Sequence, residues 1–444
     1  MKRVIVNVMM AIVLLAAGIG GSYAGEPAGE EKSWKLPNGL TVVLRPIPTA
    51  TKVCLLTLFH LGGDADPAGQ SGLAHFIEHC YVTAAAGSTQ ARSVDAYVRQ
   101  YPDGWNAQTG EDYTVIATVF PPASLAAELK DSAARMGDLH IVESDLTREK
   151  PRLLAEVENM FGGMPALAAW NLARERVRPT PEQGRRGGVP DQVTALTLPI
   201  VQKRWMQYYK PINATLVLTG SFDPKTARAA IESDYRRIAA GTPAPSAVKR
   251  SPAHTGTTEQ IRVTAVVPMP TSEACLMAAA PRPSDPEFPA FMVLLARLIR
   301  HAGEVGEDDP SAERFPPPVF YSGQTDPAVF SVSATVRAKE TAQASADRLK
   351  AFVAQTVQPD LQPNEIPATI QQVGVLFGIS DLPDAAWAQN PYFLAFSLAR
   401  QMQLEGDAPK LTRALNALTT EDVRRCAKTV FAPTAWATVI VAPK

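Results

Sequence analysis

The sequence predicts an α+β protein built from two homologous domains, each a mainly antiparallel sheet with helices packed on one face. Three observations predict this fold. A segment of the first half recurs in the second half at a constant offset. Apolar strand-like runs and amphipathic helical segments occur together in both halves, and a stretch rich in proline and alanine separates the halves.

The repeat is clearest near the end of each half. Each copy reads as Ala-Leu-Thr, a helix, a proline turn and a buried strand. The copies begin at Ala195 and Ala417, and their turn prolines, Pro211 and Pro433, keep the same offset (433 − 211 = 222). Chance recurrence of a common helix-to-strand pattern is the alternative, but the constant offset favours duplication.

The two domains are predicted at residues 30–240 and 256–444, with a linker at 241–255 between them. The first is predicted to hold the functional site and the second to be an inactive homologue. The predicted strands are Thr41 to Leu44, Val53 to Phe59, Thr114 to Val119, Ile261 to Val267 and Val329 to Val336. The predicted helices are Pro122 to Met136, Phe288 to Arg300 and Thr341 to Val357.

The first 24 residues are predicted to be a secretory signal peptide. Basic Lys2 and Arg3 precede an apolar run, and small residues end at Ala24, where cleavage is expected. An uncleaved membrane anchor is the alternative, but the apolar run is short and ends among glycines. No later stretch is long enough to span a bilayer, so we expect an exported protein in the periplasm or outside the cell.

Charge and cysteine content exclude other classes of protein. The formal net charge is −1 at pH 7, so no basic field attracts nucleic acid. The four cysteines, Cys54, Cys80, Cys275 and Cys426, are too few to build a disulfide scaffold. We expect buried thiols, although export would permit a disulfide such as Cys54–Cys80.

The stretch His75-Phe76-Ile77-Glu78-His79 carries the main functional signal. Histidines four residues apart project from one face of a helix, so both imidazoles can reach one metal ion. Glu78 lies beside the second histidine, where a carboxylate can accept a proton from water. The order H-x-x-E-H is that of the inverzincin zinc peptidases. A surface or core role for the histidines is the alternative.

A helix over Thr147 to Met160 offers further ligands, because a catalytic zinc site needs three protein ligands. Thr147 or Asp145 is expected to cap this helix, and Pro151 is expected in its first turn. Glu149 and Glu156 are two turns apart and therefore share a face. A metal would compensate two inward carboxylates, whereas a solvated helix surface is the alternative.

Together these residues resemble the pitrilysin-type zinc metallopeptidases, in particular the two-domain branch that includes mitochondrial processing peptidase. The family's inverted motif is followed, after a gap like that between His79 and Glu156, by the glutamate that is the third zinc ligand. A second glutamate seven residues earlier, here Glu149, supports the site from behind the ligands. The flanking stretches 35–40, 72–74, 106–109 and 113–114 also resemble the family.

The resemblance implies roles for residues elsewhere in the chain. Asn106 and Ala107 match the substrate-binding edge strand of the family, to which a peptide is added. Arg314 and Tyr321 match the Arg and Tyr that bind the substrate carbonyl, although prolines replace the usual spacer between them. One zinc ion per chain is implied, held by His75, His79 and Glu156, with Glu78 as the base.

The function implied is that of a zinc-dependent endopeptidase acting on peptides or unfolded polypeptide segments inside a chamber. Two-domain members of the family form this chamber as dimers, so a homodimer or a heterodimer with a paralogous subunit is expected. The alternative is a non-catalytic structural or substrate-guiding subunit. Such subunits lack part of the metal motif, whereas this chain has every residue of it.

Overall fold

The computed structural model describes residues 32–162, 165–178, 187–245, 258–263, 272–282, 284–302, 319–322, 328–337, 339–358, 391–404 and 413–443, together with residues 365 and 369. The predicted signal peptide, residues 246–255 of the predicted linker, and Arg314 lie outside these residues. The domain boundaries therefore stay a prediction. None of the helices in these ranges is both long and apolar enough to cross a membrane.

A six-stranded sheet forms the centre of the first half. In spatial order its strands are β1 (Lys32–Lys35), β2 (Thr41–Pro46), β8 (Ala214–Gly220), β3 (Val53–Phe59), β6 (Thr114–Phe120) and β5 (Trp105–Thr109). Only β2 and β8 pair in parallel; the other neighbours are antiparallel. The short strands β4 (Ala85–Ala86) and β7 (Leu139–His140) pair separately.

The second half has a five-stranded sheet with the same plan. In spatial order its strands are β9 (Thr258–Val263), β13 (Ala437–Pro443), β10 (Glu273–Ala280), β12 (Ala328–Thr335) and β11 (Val319–Ser322). The first pair is parallel and the rest are antiparallel. The predicted fold class, two homologous α+β domains with mainly antiparallel sheets, is confirmed.

Twelve α-helices have described bounds in these ranges. Those of the first half are α1 (Leu73–Thr83), α2 (Val94–Gln100), α3 (Leu125–Gly137), α4 (Glu143–Gly162), α5 (Pro165–Val177), α6 (Pro190–Ala195), α7 (Leu198–Tyr208) and α8 (Pro224–Tyr235). Those of the second half are α9 (Phe288–His301), α10 (Ala342–Val357), α11 (Pro391–Leu404) and α12 (Thr420–Val430).

Each sheet is covered on one face by helices of its own half. Along β3, Val53, Leu55 and Phe59 face a core shared with Phe76 and Ile77 of α1. Because side chains alternate along a strand, the intervening residues of β3 face the opposite side of the sheet. That side is covered by a helix from the other half of the chain.

The two halves exchange these covering helices. Helix α11 of the second half places Leu394 and Leu398 against Leu56 and Val217 of the first sheet. Helix α5 of the first half covers the second sheet in return, with side chains such as Trp170 buried there. The sequence patterns did not reveal this exchange, because they report which face of a helix is apolar and not which sheet it contacts.

One local prediction was wrong. Helix α4 begins at Glu143, one turn earlier than expected, so Pro151 lies inside the helix and not in its first turn. The Asp145 carboxylate accepts a hydrogen bond from the Val142 N–H at 2.9 Å, which satisfies an exposed donor at the helix start. Asp145 is therefore bound at the beginning of the helix, whereas Thr147 already lies within it. The four cysteines are buried, and no disulfide forms among the described residues.

Candidate metal centre

Helix α1 carries both histidines of the inverted motif, and its start is fixed by two features. Gly72 adopts a left-handed conformation (φ 96°) and lies so close to Gly188 that a Cβ atom would approach the Gly188 Cα to 3.1 Å. The buried Asp66 carboxylate accepts hydrogen bonds from the Gly72 and Ala74 N–H groups, both at 2.9 Å. These contacts determine where the first histidine is presented.

His75, His79 and Glu156 meet with their ligand atoms pointing at one another. Glu156 Oε2 is 3.7 Å from His75 Nε2 and 3.4 Å from His79 Nε2. Ligands of a tetrahedral zinc ion at bond lengths of about 2.1 Å lie roughly 3.4 Å apart, so these separations fit. Within the described ranges this is the one group of three or more histidine, cysteine, aspartate or glutamate side chains whose ligand atoms lie close enough together to hold a metal ion.

The second nitrogen of each imidazole has a partner on the side away from the cluster. His75 Nδ1 lies 3.1 Å from the Gly187 carbonyl oxygen, and His79 Nδ1 lies 3.4 Å from Glu149 Oε2. A proton on Nδ1 leaves Nε2 free to coordinate, and the acceptor behind it fixes the ring orientation. Glu149 therefore lies behind the His79 ring and away from the three clustered ligand atoms, and its supporting role at a metal site stays a prediction.

Glu149 is fully buried and held by two arginines. Arg148 Nε and Arg152 Nη1 donate to its two oxygens at 2.8 and 2.9 Å. Burial alone would raise the pKa of Glu149, but its contacts with His79 and Arg148 outweigh burial and lower the pKa below its usual value. The carboxylate therefore stays ionised, which makes it a strong acceptor for the His79 ring.

Carboxylates also set the protonation of His79. Burial alone would lower the pKa of His79, but Glu149 and Glu156 raise the pKa to about 9. Zinc coordinates the neutral imidazole, so metal binding would release this proton. The His–His–Glu donor set and its spacing fit zinc, and acidic solutions are expected to weaken binding.

Glu78 lies next to the cluster without belonging to it. Its side chain is buried, and burial raises the pKa of the carboxyl group against the opposing effect of His75 and His79. The Thr109 hydroxyl donates to Glu78 Oε2 at 2.7 Å. A buried carboxylate beside a group of candidate metal ligands, oriented by one donor, is the arrangement expected of a general base.

Strand β5, which contains Asn106 and Ala107, forms the outer edge of the first sheet. An edge strand has unpaired backbone groups to which an extended peptide can be added. The Asn106 side chain is already engaged, since its Nδ2 donates to the Tyr392 hydroxyl of α11 at 2.5 Å. The substrate-binding role of Asn106 and Ala107 remains a prediction.

Tyr321 lies on β11, the corresponding edge of the second sheet. Its hydroxyl donates to the Pro281 carbonyl at 2.7 Å, and its ring packs on Phe288 and Phe291. Burial raises the pKa of Tyr321 well above its usual value, so the phenol keeps its proton. Because Arg314 lies outside the described residues, the pairing of Arg314 with Tyr321 stays a prediction.

Several residues that position the site escaped the sequence analysis. No motif marks Asp66, Gly187 or Arg152 as part of the site. Gly187 is distant in sequence from His75, whereas Asp66 and Arg152 lie close in sequence to the groups they bind, in contacts that the sequence patterns did not single out. Thr109 stands within the stretch 106–109 that resembles the family's edge strand. That stretch could have identified Thr109 as a site residue, but not its contact with Glu78.

Comparison with known proteins gives a consistent result. No protein-family model matches the chain. Over 216 residues the chain is 27% identical to the zinc protease PqqE of Helicobacter pylori, a match covering 48% of this chain and 48% of that protein. The match therefore spans about half the length of the curated relative.

Solved structures match over nearly the whole chain. A protease from Helicobacter pylori aligns with a TM-score of 0.71 at 18% identity, covering 94% of this chain and 100% of that chain. An inactive M16 peptidase domain from Pseudomonas fluorescens aligns with 0.70 at 16% identity, covering 94% and 98%. The periplasmic protease PqqL from Escherichia coli aligns with 0.68 at 16% identity, covering 94% of this chain and 48% of that chain.

Proposed function

The chain has the fold of the pitrilysin-type peptidases, which confirms the resemblance that its motifs predict, and from this premise we propose that it is a zinc-dependent endopeptidase. Its substrates are peptides or unfolded polypeptide segments. The observation that carries the proposal is the meeting of His75, His79 and Glu156 beside the buried Glu78. Zinc is the metal that this donor set fits.

The chain's own residues account for the steps of peptide hydrolysis. When bound, zinc lowers the pKa of a coordinated water and polarises the substrate carbonyl. Glu78 accepts the proton of the attacking water and returns it to the leaving amine. Glu149 fixes the His79 ring from behind, and Thr109 orients Glu78. The free edge of β5 receives the peptide as an added strand.

Hydrolysis of an unfolded polypeptide by the purified protein tests this proposal. We expect cleavage that a zinc chelator abolishes and added zinc restores. Glu78→Gln should keep its zinc and lose about two or more orders of magnitude in rate, the usual contribution of a general base. Glu158→Gln, the same change at an exposed glutamate of α4, is the matched control. Near-normal cleavage by Glu78→Gln would refute the mechanism.

The inactive relative from Pseudomonas fluorescens motivates the competing proposal of a non-catalytic subunit. The two proposals differ in one outcome: a zinc-bearing wild-type protein that cleaves no polypeptide would favour the subunit. The complete ligand set and the retained base favour the enzyme, because a subunit that only guides substrate needs neither. Export to the periplasm or beyond is part of the proposal and rests on the predicted signal peptide and on the structural likeness to the periplasmic protease PqqL from Escherichia coli.

We also propose that the active chain is a dimer, with Arg314 and Tyr321 of one subunit acting on the zinc site of the other. Mixing Glu78→Gln with Tyr321→Phe protein should then restore activity, because one site of each mixed dimer combines two intact parts. Mixing the Glu78→Gln protein with itself is the control. If subunits exchange and the mixture stays inactive, the shared site is refuted.

A further inference from the structure

The β5–β6 hairpin connects the proposed catalytic base to the second half of the chain. One face of β5 packs against α1, and there the Thr109 hydroxyl donates to Glu78 Oε2 at 2.7 Å. Side chains alternate along a strand, so Asn106 projects from the opposite face. On that side lies α11, the helix that the second half contributes to the first sheet. The hairpin is thus held between the base and the exchanged helix.

A single face of α11 makes the contacts with the hairpin. Tyr392, Phe396, Arg400 and Gln403 follow one another at spacings of four, four and three residues, which places them along one side of a helix. In the first turn of α11, the Tyr392 hydroxyl oxygen accepts a hydrogen bond from Asn106 Nδ2 at 2.5 Å.

The last turns of α11 hold the far end of the hairpin, where β5 turns into β6. Arg400 Nη1 lies 3.5 Å from Asp112 Oδ2, and its guanidinium carbon lies 4.2 Å from the centre of the Tyr113 ring. Gln403 Nε2 donates to the Asp112 carbonyl at 2.8 Å and to its carboxylate at 3.1 Å. Phe396 packs edge-on against Tyr113. Contacts with α11 therefore hold the chain on both sides of Thr109, at Asn106 before it and at Asp112 after it.

We propose that α11 positions the catalytic base through this hairpin, with Tyr392 and Arg400 as the positioning residues and Thr109 as the group that transmits their effect to Glu78. This inference rests on the proposed peptidase function. A carboxylate that accepts a proton from a water molecule at a defined position works faster when its orientation is fixed. Misplacement of a catalytic group by about 1 Å can cost two orders of magnitude in rate. Packing without a catalytic consequence is the competing explanation.

A KM-against-kcat comparison separates these explanations. Thr109→Val should lower kcat about tenfold, since a hydrogen bond to a charged group is lost while substrate contacts remain. Tyr392→Phe removes one hydroxyl and keeps the ring, so the protein should fold normally and lose several-fold in kcat. Both should keep KM within about twofold of wild type, and both should keep their zinc. Thr109→Ser, which retains the donor, should restore most of kcat.

The decisive comparison is a double-mutant cycle. If Arg400 acts through Thr109, Arg400→Met should lower kcat, and the Arg400→Met/Thr109→Val protein should be no slower than Thr109→Val alone. Arg228→Met, at an exposed arginine paired with Glu232, is the matched control and should leave kcat unchanged. If the kcat losses of Arg400→Met and Thr109→Val multiply in the double variant, or if these variants raise KM with kcat unchanged, the inference is overturned. Either result leaves the peptidase proposal intact. Absence of chelator-sensitive cleavage by wild type would overturn both.

Discussion

The two halves of the molecule share one architecture and differ in chemistry. From the parallel pair onward both described sheets have the same strand pattern, a parallel pair followed by antiparallel neighbours, and the first sheet has β1 as an additional antiparallel edge strand. In the first half, the helix after the central strand is α1, with two histidines and a glutamate. In the second half, the helix after the central strand is α9, which has no glutamate and a single histidine, His301, in its last turn. The fold therefore does not determine the function, which depends on a few side chains placed on it.

The repeat also shows how the halves diverged in packing. At the 222-residue offset, Trp205 and Lys210 of the first half correspond to Ala427 and Ala432 of the second. Lys210 Nζ lies 3.5 Å from the centre of the Trp205 ring and donates to the Met136 carbonyl, so these residues join α7 to α3. The second half has a cavity of about 300 Å³ lined by both alanines. Smaller side chains thus leave space where the first half is filled.

A large effect is expected for the buried ion pair that joins α5 to the hairpin turn. Arg174 Nη1 lies 2.6 Å from Glu111 Oε1, and both side chains are buried. Arg174→Leu should reduce the free energy of unfolding by about 3 kcal/mol, because a buried carboxylate loses its nearer arginine and keeps the longer contact with Arg178 Nη1 at 3.9 Å. The exposed control Arg228→Leu should cost less than about 1 kcal/mol. Denaturant unfolding measures both, and equal costs would show that the pair is not buried in solution.

An effect of similar size tests whether the exchange of helices is symmetrical. Leu398 of α11 and Leu167 of α5 are each buried against the sheet of the opposite half. Leu398→Ala and Leu167→Ala should each lower the free energy of unfolding by about 2–4 kcal/mol through lost burial and a new cavity. A cost below about 0.5 kcal/mol for either variant would mean that its helix does not cover that sheet.

The smallest effect distinguishes equivalent positions of the repeat. Thr419 caps α12 in a reciprocal arrangement with Asp422, whereas Thr197 occupies the same position before α7 without a side-chain capping bond. Thr419→Ala should therefore cost about 1 kcal/mol. Thr197→Ala should cost less than about 0.5 kcal/mol. Thermal or denaturant unfolding checks the difference, and equal costs would contradict the capping assignment.

Sequence reasoning succeeded where the signal is local. The histidine spacing and the two-turn spacing of Glu149 and Glu156 reflect helix geometry that neighbouring residues determine. The repeat was visible because the sequence of the first half recurs in the second at a constant offset. Sequence reasoning was wrong about the start of α4, because Asp145 bonds backward to Val142 and allows a turn before the expected cap. It missed the Thr109–Glu78 contact and the exchanged helices. Both depend on contacts between residues far apart in sequence, which periodicity does not encode.

Zinc content is the most direct test of the central claim, that the first half holds one metal ion through His75, His79 and Glu156. Elemental analysis of the purified mature protein should find about one zinc per chain, as three ligands and one open position imply. Glu156→Gln should lose most of this zinc, while Glu158→Gln should retain it. Full zinc retention by Glu156→Gln, or no zinc in the wild-type protein under zinc-replete conditions, would contradict the account.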